Sequence, residues 1–452
     1  MRDSDKQVTA RDAALKALGV YRRNKAWSDL TLSGLISSSD MPPIEAALTT
    51  QIVNGVLQNL TLCDYYASLF SSIELKKLEP RVLDVLRLSI YQIVFLSKIP
   101  HSAAVNEGVA LARKYSNHRA AGYVNAVLRK IAKAAADGNL PEISAADSIQ
   151  RLSIKYSHPE WLIREFCEAL GPHGAEALLA SNNSGDTPLT AQINTLVTNT
   201  EEAISVLSDD GVEAKRHEWL DNCIELRGAG NISRLEAFRR GFFYIQDAAA
   251  RLAVIAAGPR RSDCVADGCA APGGKSFAAA IAMENTGRIA AFDIHAAKLR
   301  HLESGANRLQ ISIIDVIKRD SSTPMEEFAG AADVVLADVP CSGFGVIRKK
   351  PDIRYKPEKE TAGLPDIQKR ILASLSTYVS PGGTLLYSTC TTLKRENEDV
   401  VEWFLDGNGQ FSLEGFTLPG VGNVESGMIT LWPHIHGTDG FFICKLKRIN
   451  KT

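Results

Sequence analysis

Apolar residues in the first third of the chain return every three or four positions, the period of a helix that buries one stripe. RDAALKALGVYRR from Arg11, EAALTTQIVNGVLQNL from Glu45, RVLDVLRLSIYQIVFLSK from Arg81 and AAVNEGVALARKY from Ala103 all carry it. Met41-Pro42-Pro43, Glu79-Pro80 and Ile99-Pro100 break the pattern into separate helices, and AGYVNAVLRKIAKA from Ala121 adds a last one. The spacing predicts a helical bundle over residues 1–135. Residues 136–155 read as a linker with one helical patch. Residues 156–250 mix a helix, HPEWLIREFCEALG, with short strands in TAQINTLV, CIELRG and FFYIQD, which predicts a small α+β subdomain.

Over residues 251–452 the period changes. Short β-branched runs (DCVAD, RIAAFDI, SIIDVIKRD, ADVVLADVP, GTLLYSTC and FFICKLK) alternate with helical stretches such as AAKLRHLESGANRLQ and LPDIQKRILASLSTYV. That alternation predicts a parallel sheet with helices on both faces. In such a sheet the ligand lies outside the carboxyl ends of the strands. Those ends carry Asp267, Asp293, Asp320 and Asp338, with Cys341 just beyond the fourth and Cys390 closing the fifth. A single Asp there is an ordinary helix cap. Four in register, with two thiols, predict one crevice that carries chemistry.

The 452 residues are 45% hydrophobic and 23% charged, ordinary for a globular chain of two or three domains. No apolar run is long enough for a membrane span. The start, MRDSDKQVTARDAAL, lacks the charged-then-apolar order of a leader, and the expected location is the cytoplasm. The formal net charge is −1, yet residues 1–135 hold 18 Lys and Arg against 11 Asp and Glu. A basic front half predicts an anionic partner. The eight cysteines include no C-x-x-C pair, so no metal site is expected. His434 and His436 are too isolated to make one.

The loop D-G-C-A-A-P-G-G-K from Asp267 opens a helix, and its small residues let the backbone approach a ligand. Its spacing is not that of a dinucleotide loop. It also misses the phosphate-binding form, with one residue too many between Gly268 and Gly274. With Asp293 placed to take ribose hydroxyls, the layout suits a methionine-bearing nucleoside better than a nucleoside triphosphate. The thiols fit one reaction in particular. Carbon 5 of cytosine is too weak a nucleophile to attack a sulfonium methyl, but a thiolate added at carbon 6 makes an enamine that can. A carboxyl can assist at the ring nitrogen, where Asp338 stands by sequence, and a base must then remove the carbon-5 proton. Two thiols and an acid in one crevice meet these needs. Spacing alone does not decide which thiol attacks.

D-G-C-A-A-P-G-G-K-S, D-V-P-C-S-G-F-G and S-T-C, in that order, resemble the RNA cytosine-C5 methyltransferases of the Sun/Nop2/RsmB group. VNGVLQNL, LRLSIYQIVFLSKIPHSAAVNEGV and YVNAVLRKI are similar to the NusB-like RNA-binding domain of its branch acting on bacterial small-subunit (16S) rRNA. The resemblance covers the whole chain. It implies a multidomain protein: an all-α NusB-like bundle, a small α+β subdomain and an α/β Rossmann-like class I methyltransferase fold. It implies S-adenosyl-L-methionine as cofactor and RNA, the rRNA of the small ribosomal subunit, as partner, with the target base unstacked. A monomer without metal or membrane is expected. Cys269, Ala270, Ala271, Pro272, Gly273, Gly274 and Lys275 would contact the cofactor. Asp293 would hold the ribose, Asp320 would lie by the adenine, and Asp338 would stand between cofactor and base. The resemblance implies Cys390, in the Thr-Cys pair, as nucleophile, and Cys341, in the Pro-Cys pair, as the thiol that assists product release. That is the reverse of the DNA cytosine methyltransferases.

Gln192 stands where the family usually carries Arg, Ser276 where Thr is commoner, and Val339 where Ala is frequent. Arg348, Lys349, Lys350, Arg354 and Lys356 follow the Pro-Cys loop and are expected to clamp RNA phosphates. Two further readings stand beside the first: an RNA-binding scaffold with a decayed methyltransferase, and a DNA cytosine methyltransferase. The intact Cys341, Cys390, Asp338 and Gly-rich loop argue against the scaffold.

Overall fold

The computed structural model describes residues 9–24, 32, 34–36, 41–185 and 187–450. The first eight residues, part of the stretch expected to lack a leader, lie outside the described residues. The chain forms two compact units. One runs to Asn183 and takes in Lys350–Lys356; the other holds the remainder.

The first unit is helical. Helices span Ala10–Asn24, Pro43–Gln58, Leu60–Phe70, Pro80–Phe95, His101–Tyr115 and His118–Ala136. Pro43 and Pro80 sit in the first turn of their helices, where a missing N–H costs nothing, so the predicted breakers become starts. The predicted stripes meet in one core: Ile52, Val53, Val56, Leu86, Leu88, Val124, Leu128 and Ile131 are fully or almost fully buried. The helical patch after the bundle is a helix, Ser148–Tyr156, capped by the Asp147 side chain accepting from Gln150 N at 2.8 Å. Glu160–Asn182 follows, kinked at Gly171 (φ 70°) before Pro172.

A strap from far along the chain completes this unit. Arg354, expected on an RNA-facing surface, is fully buried here. Its guanidinium donates to the carbonyls of Gln58 (3.0 Å) and Tyr156 (3.1 Å) and to Asn183 Oδ1 (2.7 Å). Tyr355 Oη donates to Leu57 O at 2.8 Å. The orphan carbonyls at helix ends need donors, and a five-donor guanidinium supplies several at once.

The second unit holds two main sheets. Strands β1 (Leu189–Ile193), β2 (Glu213–Arg216), β3 (Cys223–Arg227) and β4 (Phe243–Ile245) form an antiparallel sheet in the order β2-β3-β1-β4. Gln192 on β1 faces inward, donating to Cys223 Sγ (3.3 Å) and Gln246 O (3.2 Å). The large sheet uses β5 (Cys264–Asp267), β6 (Arg288–Asp293), β7 (Ile314–Lys318), β8 (Ala332–Asp338) and β9 (Val379–Thr389). These five are parallel, in the order β9-β8-β5-β6-β7. Short strands β10 (Phe411–Leu413), β11 (Phe416–Leu418), β12 (Gly422–Val424) and β13 (Met428–Leu431) precede β14 (Phe441–Arg448). No periodicity in the sequence marks β10–β13, and the alternation of strands and helices puts the FFICKLK strand in a parallel sheet. β14 instead runs antiparallel to β9, β10 and β13. The link from β13 to β14 is too short for the crossover that a parallel neighbour requires.

A seam joins the two sheets of this unit. Asn194 Nδ2 donates to Gly241 O (3.0 Å) and Leu309 O (2.8 Å), and Arg308 donates to Phe238 O (2.7 Å) and Phe243 O (3.0 Å). A Cβ on Gly241, whose φ is +75°, would sit 2.1 Å from Arg308 O.

Candidate active site

A cavity of about 470 Å³ opens at the carboxyl ends of the parallel strands. The Gly-rich loop is stitched across the strand tips: Gly268 N donates to Leu336 O (2.9 Å) and Ala270 N to Phe292 O (2.8 Å). Asp267 lies behind it, fully buried, accepting from Ser276 Oγ at 2.6 Å. Burial pushes its carboxyl up to about 6 against the pull of Ser276 and Lys275. Asp293 accepts from Ala271 N (3.3 Å) and His295 N (2.8 Å). Asp320 is exposed beyond β7, and the Ser322 backbone N–H lowers its pKa.

Of the expected residues, Cys269, Ala271, Asp293, Asp320, Asp338, Cys341 and Cys390 line this one cavity. Ala270, Pro272, Gly273, Gly274 and Lys275 do not line it; they form the turn and helix start behind. Cys269 is held as a neutral thiol, because burial pushes its pKa far up and four nearby carboxylates add to that.

Cys341 Sγ and Cys390 Sγ are 3.2 Å apart. A thiol donating to a thiolate stabilises one charge and opposes a second. The Cys341 hydrogen bond draws the Cys390 pKa below the ordinary thiol value, and the Lys275 ammonium adds to this. Cys341 is pushed up by its bond to Cys390, then by burial and by the charges of Glu396 and Asp338. Lys275 Nζ meets Asp338 Oδ2 at 2.6 Å and lies 5.0 Å from the centre of the Phe441 ring. Asp338 Oδ1 accepts from Ser388 Oγ at 2.9 Å.

Sequence reasoning missed two groups here. Ile294, directly after Asp293, is 53% exposed and presents an apolar face in the cavity wall; an isolated apolar residue just past a strand-end carboxylate was its only signal. Glu396 is buried and accepts from Ser342 N and Gln368 Nε2, both at 2.9 Å, so it fixes the residue after Cys341. Nothing local in the sequence marks it.

The expected phosphate clamp needs correction. Lys349 is turned inward between Asp247 (2.5 Å) and Asp439 (2.8 Å). Arg348 reaches Thr438 O at 3.4 Å, with its side chain 11% exposed. Arg354 is in the helical core, as above. Lys350 alone of the five is exposed, and Lys356 is half-buried. A run of cations reads as a solvated face in sequence, but here carboxylates and carbonyls distant along the chain neutralise it.

Comparison with known proteins gives concordant results. A model of the 16S rRNA methyltransferase RsmB/F family matches residues 254–447, a NusB family model residues 8–133, and a ferredoxin-like domain model of RsmF/B-like methyltransferases residues 158–233. The chain is 36% identical to the probable ribosomal RNA small subunit methyltransferase B of Bacillus subtilis, over 98% of this chain and 99% of that one. It is 32% identical to the Synechocystis protein of the same name, over 98% and 100%. Among solved structures, PH0851 superposes with a TM-score of 0.79 at 27% identity, covering 96% of this chain and 98% of its own. With relatives of this identity matched end to end, the chain belongs to the ribosomal RNA small subunit methyltransferase B family.

Proposed function

We infer that the protein methylates carbon 5 of a cytosine in small-subunit 16S rRNA, using S-adenosyl-L-methionine and a covalent Cys390 adduct. The 3.2 Å thiol pair in the cavity wall carries this reading. The cavity fits the cofactor: it offers a carboxylate at Asp293 for ribose hydroxyls, an exposed apolar face at Ile294 for a purine, and backbone at Gly268–Cys269 for close approach. When bound, the cofactor supplies an electrophilic sulfonium methyl.

The chain's own residues do the rest. Cys390, the thiol favoured as thiolate, adds to carbon 6, and the ring π pair moves toward carbon 5. Asp338, held as a carboxylate by Lys275 and Ser388, accepts from the exocyclic amine of the cytosine, and the Lys275 ammonium beside it supplies positive charge as the ring takes up negative charge. After carbon 5 has gained its methyl, Cys390 is a neutral thioether. The charge that kept Cys341 protonated is then gone, so Cys341 gives its proton to solvent more readily, and its thiolate can take the carbon-5 proton. The C–H pair restores the double bond and expels the Cys390 thiolate. The pair thus works in sequence, each thiol ionised when the other is not.

The test uses a 16S rRNA fragment and tritiated cofactor, with a DNA of the same sequence in parallel. Cys390→Ala is expected to abolish methylation and RNA capture, and Cys341→Ala to leave a protein–RNA adduct on a denaturing gel. An adduct from Cys390→Ala but not from Cys341→Ala would reverse the two roles, and methylation of DNA alone would sink the substrate assignment.

A further inference from the structure

Three segments meet back to back around the thiols. The loop after β8 carries Cys341. The end of β9 carries Cys390, and the turn before β14 carries Asp439 and Gly440. Gly345 N donates to Cys390 O (3.0 Å), and Gly440 N donates to Gly345 O (2.9 Å). A Cβ on Gly345 would lie 1.8 Å from Gly440 O and 2.8 Å from Cys390 O, so the backbones touch with no side chain between them.

The same loop ends on Lys349. Its ammonium lies between Asp247 Oδ2 and Asp439 Oδ2. Asp439 N in turn donates to Asp247 Oδ1 at 3.0 Å, and that oxygen also caps the helix Ala248–Ala257 through Ala249 N (2.9 Å). Asp439 is 5% exposed and the Lys349 side chain 27%. A buried cation is costly unless fully paired, and removing it leaves two carboxylates facing each other. Burial and the neighbouring Asp247 push Asp439 up, while Lys349 draws Asp247 down. The ammonium is therefore the group that lets both acids stay together.

We propose that Lys349, clamped by Asp247 and Asp439, is a positioning residue that holds the Cys341 loop at the separation from Cys390 needed to release the methylated product. For the part played by Cys341, this rests on the covalent reading above. The clamp touches neither the cavity nor the cofactor loop; it acts through the backbone from Lys349 to Cys341 and through the Gly345–Cys390 contact.

Two measurements test it on the full chain. The first is geometric and independent of the reaction. Phenylarsine oxide bridges two adjacent thiols, forming two As–S bonds and releasing one water, and mass spectrometry of the native protein reads the Cys341–Cys390 bridge with Cys341→Ala as blank. Lys349→Met and Asp439→Asn are expected to slow bridging, and Lys349→Arg to restore it. The second is the covalent RNA adduct on a denaturing gel. In Lys349→Met it should accumulate on the order of tenfold or more over the native enzyme, since misplacement by about 1 Å costs on that scale. Cofactor affinity by calorimetry should stay within about twofold. Unchanged bridging in both neutral variants overturns the proposal, as does a fall in cofactor affinity and methylation together with no adduct. If bridging slows but Cys341→Ala itself accumulates no adduct, the clamp stands and the covalent assignment is what fails.

Discussion

The two thiols at the centre of this protein are held by different means. Cys390 directly follows β9, which pairs with β8 on one side and β14 on the other. A backbone ladder on both edges fixes its approach. Cys341 sits on a loop with no ladder of its own. Its position depends on single groups: Glu396 at Ser342, Gly345 against Cys390, and Lys349 between two acids. The proposed nucleophile is built into the sheet, and the thiol proposed to release the product is tied on beside it. Backbone ladders tolerate most side-chain changes, whereas single ties fail one at a time. Mutations should therefore separate adduct formation from adduct release.

The largest expected break is Gly345→Ala, which drives a methyl group into the Gly440 carbonyl and parts the loop from Cys390. Release of methylated RNA from the covalent adduct should slow on the order of a hundredfold, read as adduct on a denaturing gel, with a stability loss of roughly 1–3 kcal/mol from overpacking. Arg354→Met should follow. It strips donors from buried carbonyls of the helical unit and should cost about 3 kcal/mol or more, at roughly 1–3 kcal/mol for each unsatisfied group, read as an earlier thermal transition.

Cys341→Ala sharpens the contrast by pH. It removes the hydrogen bond that draws Cys390 down, so the acid limb of adduct formation should move to higher pH than in the native enzyme. A limb that stays in place would mean that Lys275, not Cys341, tunes the nucleophile.

The smallest effect lies away from both thiols. Asp267 titrates at about 6 in the fold against an ordinary 3.8. The folded state therefore binds this proton more tightly, and the stability it contributes is present at low pH and lost as pH rises through about 6. Asp267→Asn should flatten that slope. It should match the native protein near pH 4 and exceed it at pH 8 by at most roughly 3 kcal/mol, at about 1.4 kcal/mol per pKa unit. Unfolding curves at the two pH values decide it.

Much of this site could be read from the sequence because strand ends are local features. Asp293 and Asp338 each close a strand and Cys390 directly follows one, and one topological rule gathers such ends into one place; Asp267 also closes a strand but is buried behind the loop, outside the cavity. The helical bundle was legible for a similar reason, since a 3.6-residue stripe reports its own buried face. Lys349 and Arg354 were misread because their surroundings are not local. Asp247 and Asp439 lie about a hundred positions from Lys349 on either side, and the carbonyls that take Arg354 come from residues 296 and 198 positions away. Glu396 was silent for the same reason. The direction of β14 and the existence of β10–β13 turn on short connections and three- or four-residue strands, which carry too little periodicity to register.

The seam made by Asn194, Gly241 and Arg308 has a practical consequence for dissection. Its bonds cross from the small sheet to the helix and turn before β7, and they tie the two sheets into one mechanical piece. A fragment starting at residue 254 would bare the Leu309 carbonyl and strand the Arg308 guanidinium without acceptors. It should express poorly and melt below a fragment starting at residue 184, the two being compared by yield of soluble protein and by calorimetry.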